Sequence, residues 1–165
     1  MNTTRRSGAD ATAAPGGQGA AQAGEVLYGG GPGDLDLHLW NEGMNVRAYR
    51  ALGAHPGTQV GVAGTSFAVW APSAERVSVI GDFNGWSAER HPLRQIRQSG
   101  VWHGFVPEVG RGATYKYRIR SLHDGYSVDK ADPFAFQSET PPRTGSVVAD
   151  LAYAWGDDAW MRRRP

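Results

Sequence analysis

The run SFAVWAPSAERVSVIGDFNGW (residues 66–86) constrains the fold of this chain more than any other feature. Apolar and polar residues alternate in its first five residues and again over residues 76–80. A period of two is typical of strands that bury one face. Asn84 and Gly85 then supply a pair that tolerates the positive φ angles of a tight turn. Trp86 follows directly, so we expect its ring to be displayed beside a loop instead of within a strand.

The same alternation continues beyond this run, with Gly, Asn, Asp and Pro between the alternating segments. In the segment 114–120, three apolar side chains share one face and three basic ones, including Lys116, share the other, which indicates a half-buried strand. Short strands at this spacing predict an all-β fold, a small immunoglobulin-like β-sandwich. Trp70 and Trp102 are expected to pack in its core or between its strands. The predicted strands are 65–70, 76–82, 101–107, 114–121, 126–129 and 146–149.

The flanks of the predicted sandwich differ from it in composition. Residues 1–24 are rich in Ala, Gly, Gln, Ser and Thr, so they cannot bury enough apolar surface to offset the entropy of ordering, and we predict a disordered tail. Residues 25–60 are interpreted as a pre-segment with short helical or irregular structure, including a helix over 45–52. The sandwich is assigned to residues 61–151, and residues 152–165 are assigned as a linker.

Charge and composition argue against several functional classes. Seventeen basic and sixteen acidic residues leave a net charge of +1, which provides no long-range attraction for nucleic acid or for an anionic membrane. The chain has no cysteine, and its five histidines lack metal-binding spacing, so neither a metal nor another cofactor is predicted. No apolar run approaches the ~20 residues of a membrane span. We therefore expect a cytoplasmic protein.

Several motifs occur in the order and at the spacing found in one enzyme family. The chain resembles the amino-terminal part of bacterial 1,4-α-glucan (glycogen) branching enzymes from about residue 34 to residue 146. That resemblance implies a family-48 carbohydrate-binding module, which in the family precedes a glycoside hydrolase family 13 barrel. The motifs are DLHLWNEG (36–43), YRALGAHP (49–56), GTSFAVWAP (64–72), RVSVIGDFNGW (76–86), RHPL (90–93), SGVW (99–102), YKY (115–117) and KADPFAF (130–136).

The resemblance also implies which residues bind sugar and which chemistry is absent. Trp86 matches the family's sugar-stacking position, Lys116 a lysine that donates to sugar hydroxyls, and Tyr126 a second aromatic platform. Asn84 is a further candidate ligand through its amide. A (β/α)₈ barrel needs ~250 residues or more, and the family's catalytic carboxylates lie in that barrel, so no catalytic residue is assigned to this chain.

The candidate residues keep structural alternatives. Trp86 could pack over an end of the sandwich, Lys116 could be a solvated surface lysine, and Asn84 could serve only to form the turn. Tyr126 offers less stacking area than the tryptophan that the family has at this position. The expected function is that of a non-catalytic α-glucan-binding or domain-docking module of a branching enzyme. Its expected partners are α-1,4-glucan or glycogen and a family-13 barrel. The alternative is a stand-alone glycogen-binding targeting module or a protein-interaction module.

Overall fold

The computed structural model of the chain describes residues 24–152 and 155–164. Apart from Gly24, the predicted disordered tail lies outside the described residues. The described part contains two short α-helices, α1 (Asp34–Asn41) and α2 (Asp158–Met161). Its strands are β1 (Gly53–Gln59), β2 (Val62–Trp70), β3 (Ala74–Gly81), β4 (Arg94–Gln95), β5 (Val101–Pro107), β6 (Thr114–Ser121), β7 (Ser127–Lys130), β8 (Gln137–Ser138) and β9 (Ser146–Val147).

These strands form two antiparallel sheets. The first has the order β1-β2-β5-β4, and the second has the order β3-β6-β9-β8, with β7 paired to β6 beside β9. One apolar cluster contains inward-facing residues of both sheets, so the sheets pack face to face. The prediction of an all-β sandwich is confirmed. Its largest buried side chains include Phe67, Val77, Val79, Tyr115 and Tyr117.

The strongly alternating segments agree best with the observed strands. The bounds of β5 and β6 are those predicted, whereas β2 and β3 begin before their predicted starts. β7 begins one residue later than predicted, after Tyr126, and β9 is shorter than predicted. The strands β4 and β8 were not predicted, because two residues are too few to show a period.

β1 lies within the segment expected to be helical or irregular. It pairs antiparallel with β2 over its full length, so the sandwich includes residues before 61. Its sequence contains Gly53, Pro56 and Gly57, which normally indicate a turn. Proline is tolerated here because β1 is an edge strand, where one side of the backbone has no strand partner. The predicted helix over 45–52 is reduced to one 3₁₀ turn, Ala48–Arg50.

The outer face of the first sheet is covered by α1 and the 3₁₀ turn. The backbone N–H of Gly33 donates to the Asp36 carboxylate at 3.3 Å, which closes the first turn of α1. A second apolar cluster joins these elements to the sheet and consists of Leu37, Ala48, Leu52, Ala68 and Val101, with Trp40, Ile96 and Phe134 at its margin. Both faces of β5 are buried as a result.

The two tryptophans expected in the core differ. Trp102 is buried, and its indole N–H donates to the Ala71 carbonyl at 3.0 Å. Trp70 is 48 % exposed and contacts Trp40 edge to face. Since Val69 faces the core, the next residue of the strand has to face outward. Of the two positions expected for Trp70, in the core or between strands, the core position was therefore wrong.

A buried carboxylate joins β6 to the segment that follows β7. Asp132 accepts hydrogen bonds from the hydroxyl groups of Tyr115 and Tyr117, at 2.6 and 3.3 Å, and its backbone N–H donates to Ser146 Oγ. Burial raises the pKa of the Asp132 carboxyl above its ordinary value. The hydrogen bonds from Tyr115 and Tyr117 act in the opposite direction and offset only part of this rise. The polar ends of two core tyrosines are thus satisfied inside the protein.

Candidate functional site

The turn after β3 carries Trp86. Gly85 adopts a left-handed conformation with φ 63° and ψ 31°, and Trp86 itself has φ 60°. The Trp86 backbone N–H donates to the Gly81 carbonyl at 2.8 Å. A bulky residue at positive φ is uncommon, because it persists only where neighbouring contacts hold it. The side chain of Trp86 is 42 % exposed, so this constrained turn presents an aromatic ring to solvent.

Asn84 lies beneath this turn. Its Oδ1 accepts from the Gly81 backbone N–H at 3.0 Å. Its Nδ2 donates to the Val79 carbonyl at 3.0 Å and to Nδ1 of His91 at 2.8 Å. The side chain is buried and its amide is engaged inside the protein. These contacts correspond to the turn-forming alternative for Asn84, because its side chain stabilises the loop through internal hydrogen bonds.

Lys116 lies at the same end of the second sheet as the Trp86 turn. The backbone N–H of Thr114, two residues earlier in β6, donates to the Asp82 carboxylate at 3.1 Å and thereby ties this turn to the strand. Lys116 alternates with the core tyrosines, so it is on the outward face. Its Nζ donates to Thr144 Oγ1 at 2.7 Å. An ammonium group has three donors, so Lys116 retains capacity for further acceptors.

Tyr126 lies at the other end of β6. Its carbonyl accepts from the backbone N–H of Ser121, the last residue of β6, at 2.8 Å. Ser121 is five residues beyond Lys116 along the strand, which corresponds to about 17 Å at roughly 3.4 Å per residue. The side chain of Tyr126 is 64 % exposed. The structure therefore places Trp86 and Lys116 at one end of β6 and Tyr126 at the other end.

Ion pairs occupy the outward face between these two ends. Arg118 makes a two-point hydrogen-bonded pair with Asp129 of β7, and Arg120 pairs with Glu75 at 3.0 Å. The hydrogen bond from Arg118 is the main cause of the lowered pKa of Asp129. The outer face of the second sheet is thus an ordered surface of charged and hydrogen-bonding groups.

Within residues 24–152 and 155–164, no three His, Asp or Glu side chains are arranged to hold a metal ion. None of the helices in these ranges is long and apolar enough to cross a membrane.

Comparison with known families places this geometry in context. Residues 51–135, more than half of the chain, match the family described as carbohydrate-binding module 48 (isoamylase N-terminal domain). The chain belongs to the carbohydrate-binding module 48 family. The matched range contains both sheets of the sandwich except β8 and β9, and it includes Trp86, Lys116 and Tyr126.

Proteins similar to this module are named 1,4-alpha-glucan branching enzyme GlgB. The Myxococcus xanthus protein is 54 % identical over 133 residues, covering 80 % of this chain and 18 % of that protein. The Corynebacterium diphtheriae protein is 46 % identical, covering 90 % and 21 %, and the Rhodospirillum rubrum protein is 53 % identical, covering 85 % and 19 %. The resemblance to branching enzymes is confirmed, and the chain spans about a fifth of the length of these relatives.

A solved structure is also similar to part of this module. A maltotriose complex of a PulA variant from Klebsiella pneumoniae aligns with 64 % of this chain and 12 % of its own, at 27 % identity and a TM-score of 0.49.

Two residues in contact with the candidate site residues had no role predicted from the sequence. His91 contacts Asn84 under the Trp86 turn, and Thr144 accepts from Lys116. Asn84 and His91 are seven positions apart in the sequence, and Lys116 and Thr144 are 28 positions apart. His91 is part of the RHPL motif, but neither that motif nor a lone threonine carries a spacing from which these contacts follow.

Proposed function

We propose that this chain is a non-catalytic α-glucan-binding module. The single observation that carries the proposal is the exposed ring of Trp86 on a hydrogen-bonded turn, at the same end of the sheet as the outward-facing Lys116. A pyranose presents an apolar C–H face and a rim of hydroxyl groups. An aromatic ring can cover the first while an ammonium group donates to the second. Because the turn is already fixed by internal hydrogen bonds, little ordering would be required on binding.

Because Tyr126 and Lys116 lie at opposite ends of β6, glucans of different length would contact different residues. A short maltooligosaccharide would be held at Trp86 and Lys116, while a longer chain would extend along the outward face of β6 to Tyr126. The charged pairs between the two ends offer hydrogen-bond partners for its hydroxyl groups. Asn84 would support this site by holding the turn instead of contacting sugar.

The relatives' names support a place for the module in a 1,4-α-glucan branching enzyme. We propose that this enzyme acts on glycogen in the cytoplasm. The parent reaction would cleave an α-1,4 linkage and transfer the glucan to form an α-1,6 branch. Retaining chemistry of this kind uses a pair of carboxylic acids, which the resemblance assigns to a family-13 barrel and not to this chain. The module would dock to that barrel and raise the local concentration of glucan at its active site.

Titration of the purified chain with maltoheptaose and with glycogen tests the binding proposal. We expect saturable binding by calorimetry and a change in tryptophan fluorescence, both of which are lost in Trp86→Ala. Trp70→Ala is the matched control, because Trp70 is also about half exposed but faces outward from the opposite sheet. Equal binding by wild type and Trp86→Ala would contradict the assignment of Trp86. Absence of binding by the folded wild-type chain would favour the protein-interaction alternative.

A further inference from the structure

His91 lies between the first described residues and the Trp86 turn. Its ring is buried, with Nε2 3.1 Å from the Gly24 carbonyl oxygen and Nδ1 2.8 Å from Nδ2 of Asn84. A carbonyl oxygen only accepts, so Nε2 must carry a proton. The Asn84 amide nitrogen only donates, so Nδ1 must be free of one. These two neighbours together require neutral imidazole in its Nε2-protonated form.

Protonation of His91 would act directly on the support of the turn. With both ring nitrogens protonated, the Nδ1–H and the Asn84 amide would be two donors facing each other at 2.8 Å. One of them has to move. Asn84 is also hydrogen-bonded to the backbones of Val79 and Gly81, and the Gly81 carbonyl accepts from the Trp86 backbone N–H. A displacement of Asn84 would therefore reach Trp86, whose backbone has a positive φ.

We propose that His91 is a positioning residue for Trp86 and works only in its neutral form, so that acidification loosens the turn and weakens glucan binding. The link to glucan rests on the function proposed above, whereas the link between His91 and the conformation of Trp86 does not. His91 touches no sugar in this scheme. It acts through Asn84.

The surroundings of His91 favour the neutral form. Phe83 packs against the ring with centroids 5.6 Å apart, and the adjoining cleft is lined by two charged side chains, Arg90 and Glu108. Burial is the largest influence and lowers the pKa of His91 below 6.5. The Gly24 carbonyl opposes this, and the positive charge of Arg90 adds to it. The turn is therefore expected to be intact at neutral pH and to loosen only on the acid side of pH 6.5.

Two substitutions of His91 separate its two hydrogen bonds. In His91→Asn the side-chain oxygen can replace Nδ1 as an acceptor for Asn84, and the residue no longer titrates. In His91→Gln the longer amide can reach Gly24 in place of Nε2 but provides no matching acceptor for Asn84. We expect His91→Asn to bind glucan without the acid transition and His91→Gln to bind about threefold to tenfold more weakly at neutral pH, the equivalent of one hydrogen bond.

The test uses the full chain and two readouts. NMR follows the His91 ring and the Trp86 amide and indole N–H resonances against pH without sugar, and calorimetry measures maltoheptaose affinity above and below the His91 midpoint. We expect the Trp86 resonances and the affinity to change with the midpoint of His91, and both changes to vanish in His91→Asn. Thermal unfolding at neutral pH checks that each variant is folded.

NMR and calorimetry together distinguish the positioning role of His91 from the proposed glucan-binding function. Trp86 resonances that titrate with His91 in a chain that binds no glucan at any pH would support the positioning role and contradict the proposed function. Glucan affinity that is unchanged across the His91 midpoint would overturn the pH-dependent part of this inference while leaving the function in place. Trp86 resonances that ignore the His91 midpoint, or that still shift with it in His91→Asn, would overturn the positioning role itself.

Discussion

Nε2 of His103 lies 2.9 Å from Oγ of Ser66 across the β2–β5 pair. The ring is buried beneath the segment that precedes α1, where a methyl group on Gly31 would come within 2.6 Å of it. A hydroxyl group can serve a neutral imidazole as donor or acceptor, but it brings no charge to balance a cation. Burial therefore lowers the pKa of His103 to about 4.

The low pKa of His103 predicts a loss of stability in mild acid. The unfolded chain takes up the proton near pH 6.5 and the folded chain only near pH 4, so the stabilising effect is complete above pH 6.5 and is lost as the pH falls between these values. The full effect amounts to about 3 kcal/mol at ~1.4 kcal/mol per pKa unit. Urea unfolding at pH 7.5, 6.5, 5.5 and 5.0 measures the part of this loss that occurs before most carboxylates titrate, about 2 kcal/mol. A matching pH slope in His103→Gln would contradict the assignment.

Substitutions of Trp86 and of Tyr126 are expected to depend differently on the length of the bound glucan. Trp86→Ala should weaken binding of short and long maltooligosaccharides alike, because Trp86 and Lys116 share one end of the sheet. Tyr126→Ala should affect only chains long enough to reach it, about 17 Å along β6 from Lys116. Loss of one stacked ring corresponds to roughly tenfold in affinity. Calorimetry with maltotriose and maltoheptaose checks this, and an equal effect of Tyr126→Ala on both sugars would show that the platforms are not separate.

The acceptor at Asp132 is expected to stabilise the fold. Asp132→Ala would leave the buried hydroxyl groups of Tyr115 and Tyr117 without their acceptor, at a cost of about 2–4 kcal/mol in the free energy of unfolding. Asp132→Asn retains an acceptor oxygen and should cost less. Asp129→Ala is the surface control, since its pair with Arg118 is partly exposed and worth at most about 1 kcal/mol. Chemical denaturation ranks the three variants, and equal effects of the two alanine substitutions would refute the role of Asp132.

Two glycines that face each other across β1 and β2 should respond differently to substitution. A methyl group on Gly64 would lie 2.4 Å from the Val106 carbonyl oxygen and 2.7 Å from the Phe105 ring, whereas one on Gly57 meets nothing within 4 Å. We expect Gly64→Ala to destabilise the protein by about 1–3 kcal/mol. Gly57→Ala should be neutral or slightly stabilising. Thermal unfolding compares them, and similar melting temperatures would show that the sandwich absorbs the added methyl group.

Part of the site could be predicted from local sequence. Asn84 and Gly85 are residues whose preferred backbone conformations make a tight turn, and that turn exposes whatever follows it, so the display of Trp86 follows from the chain itself. The outward direction of Lys116 follows equally from its place between two core tyrosines. Alternation also indicated β6, because a two-residue period puts Tyr115, Tyr117 and Ile119 on one face. The bounds of β5 are those predicted as well, although both of its faces are buried.

The pairing of β1 and the positions of Tyr126 and His91 were decided by tertiary structure, because each depends on contacts between separate segments of the chain. β1 became a strand through pairing with β2, which overrides the turn preferences of its glycines and proline. Pairing of Tyr126 with Ser121 placed it at the far end of β6 from Lys116, and folding brought His91 into contact with Asn84. The local pattern of the sequence thus determined which side chains of a strand share a face, since this depends on adjacent residues. Pairing across the sheets decided which side chains meet, because those contacts exist only once the chain has closed on itself.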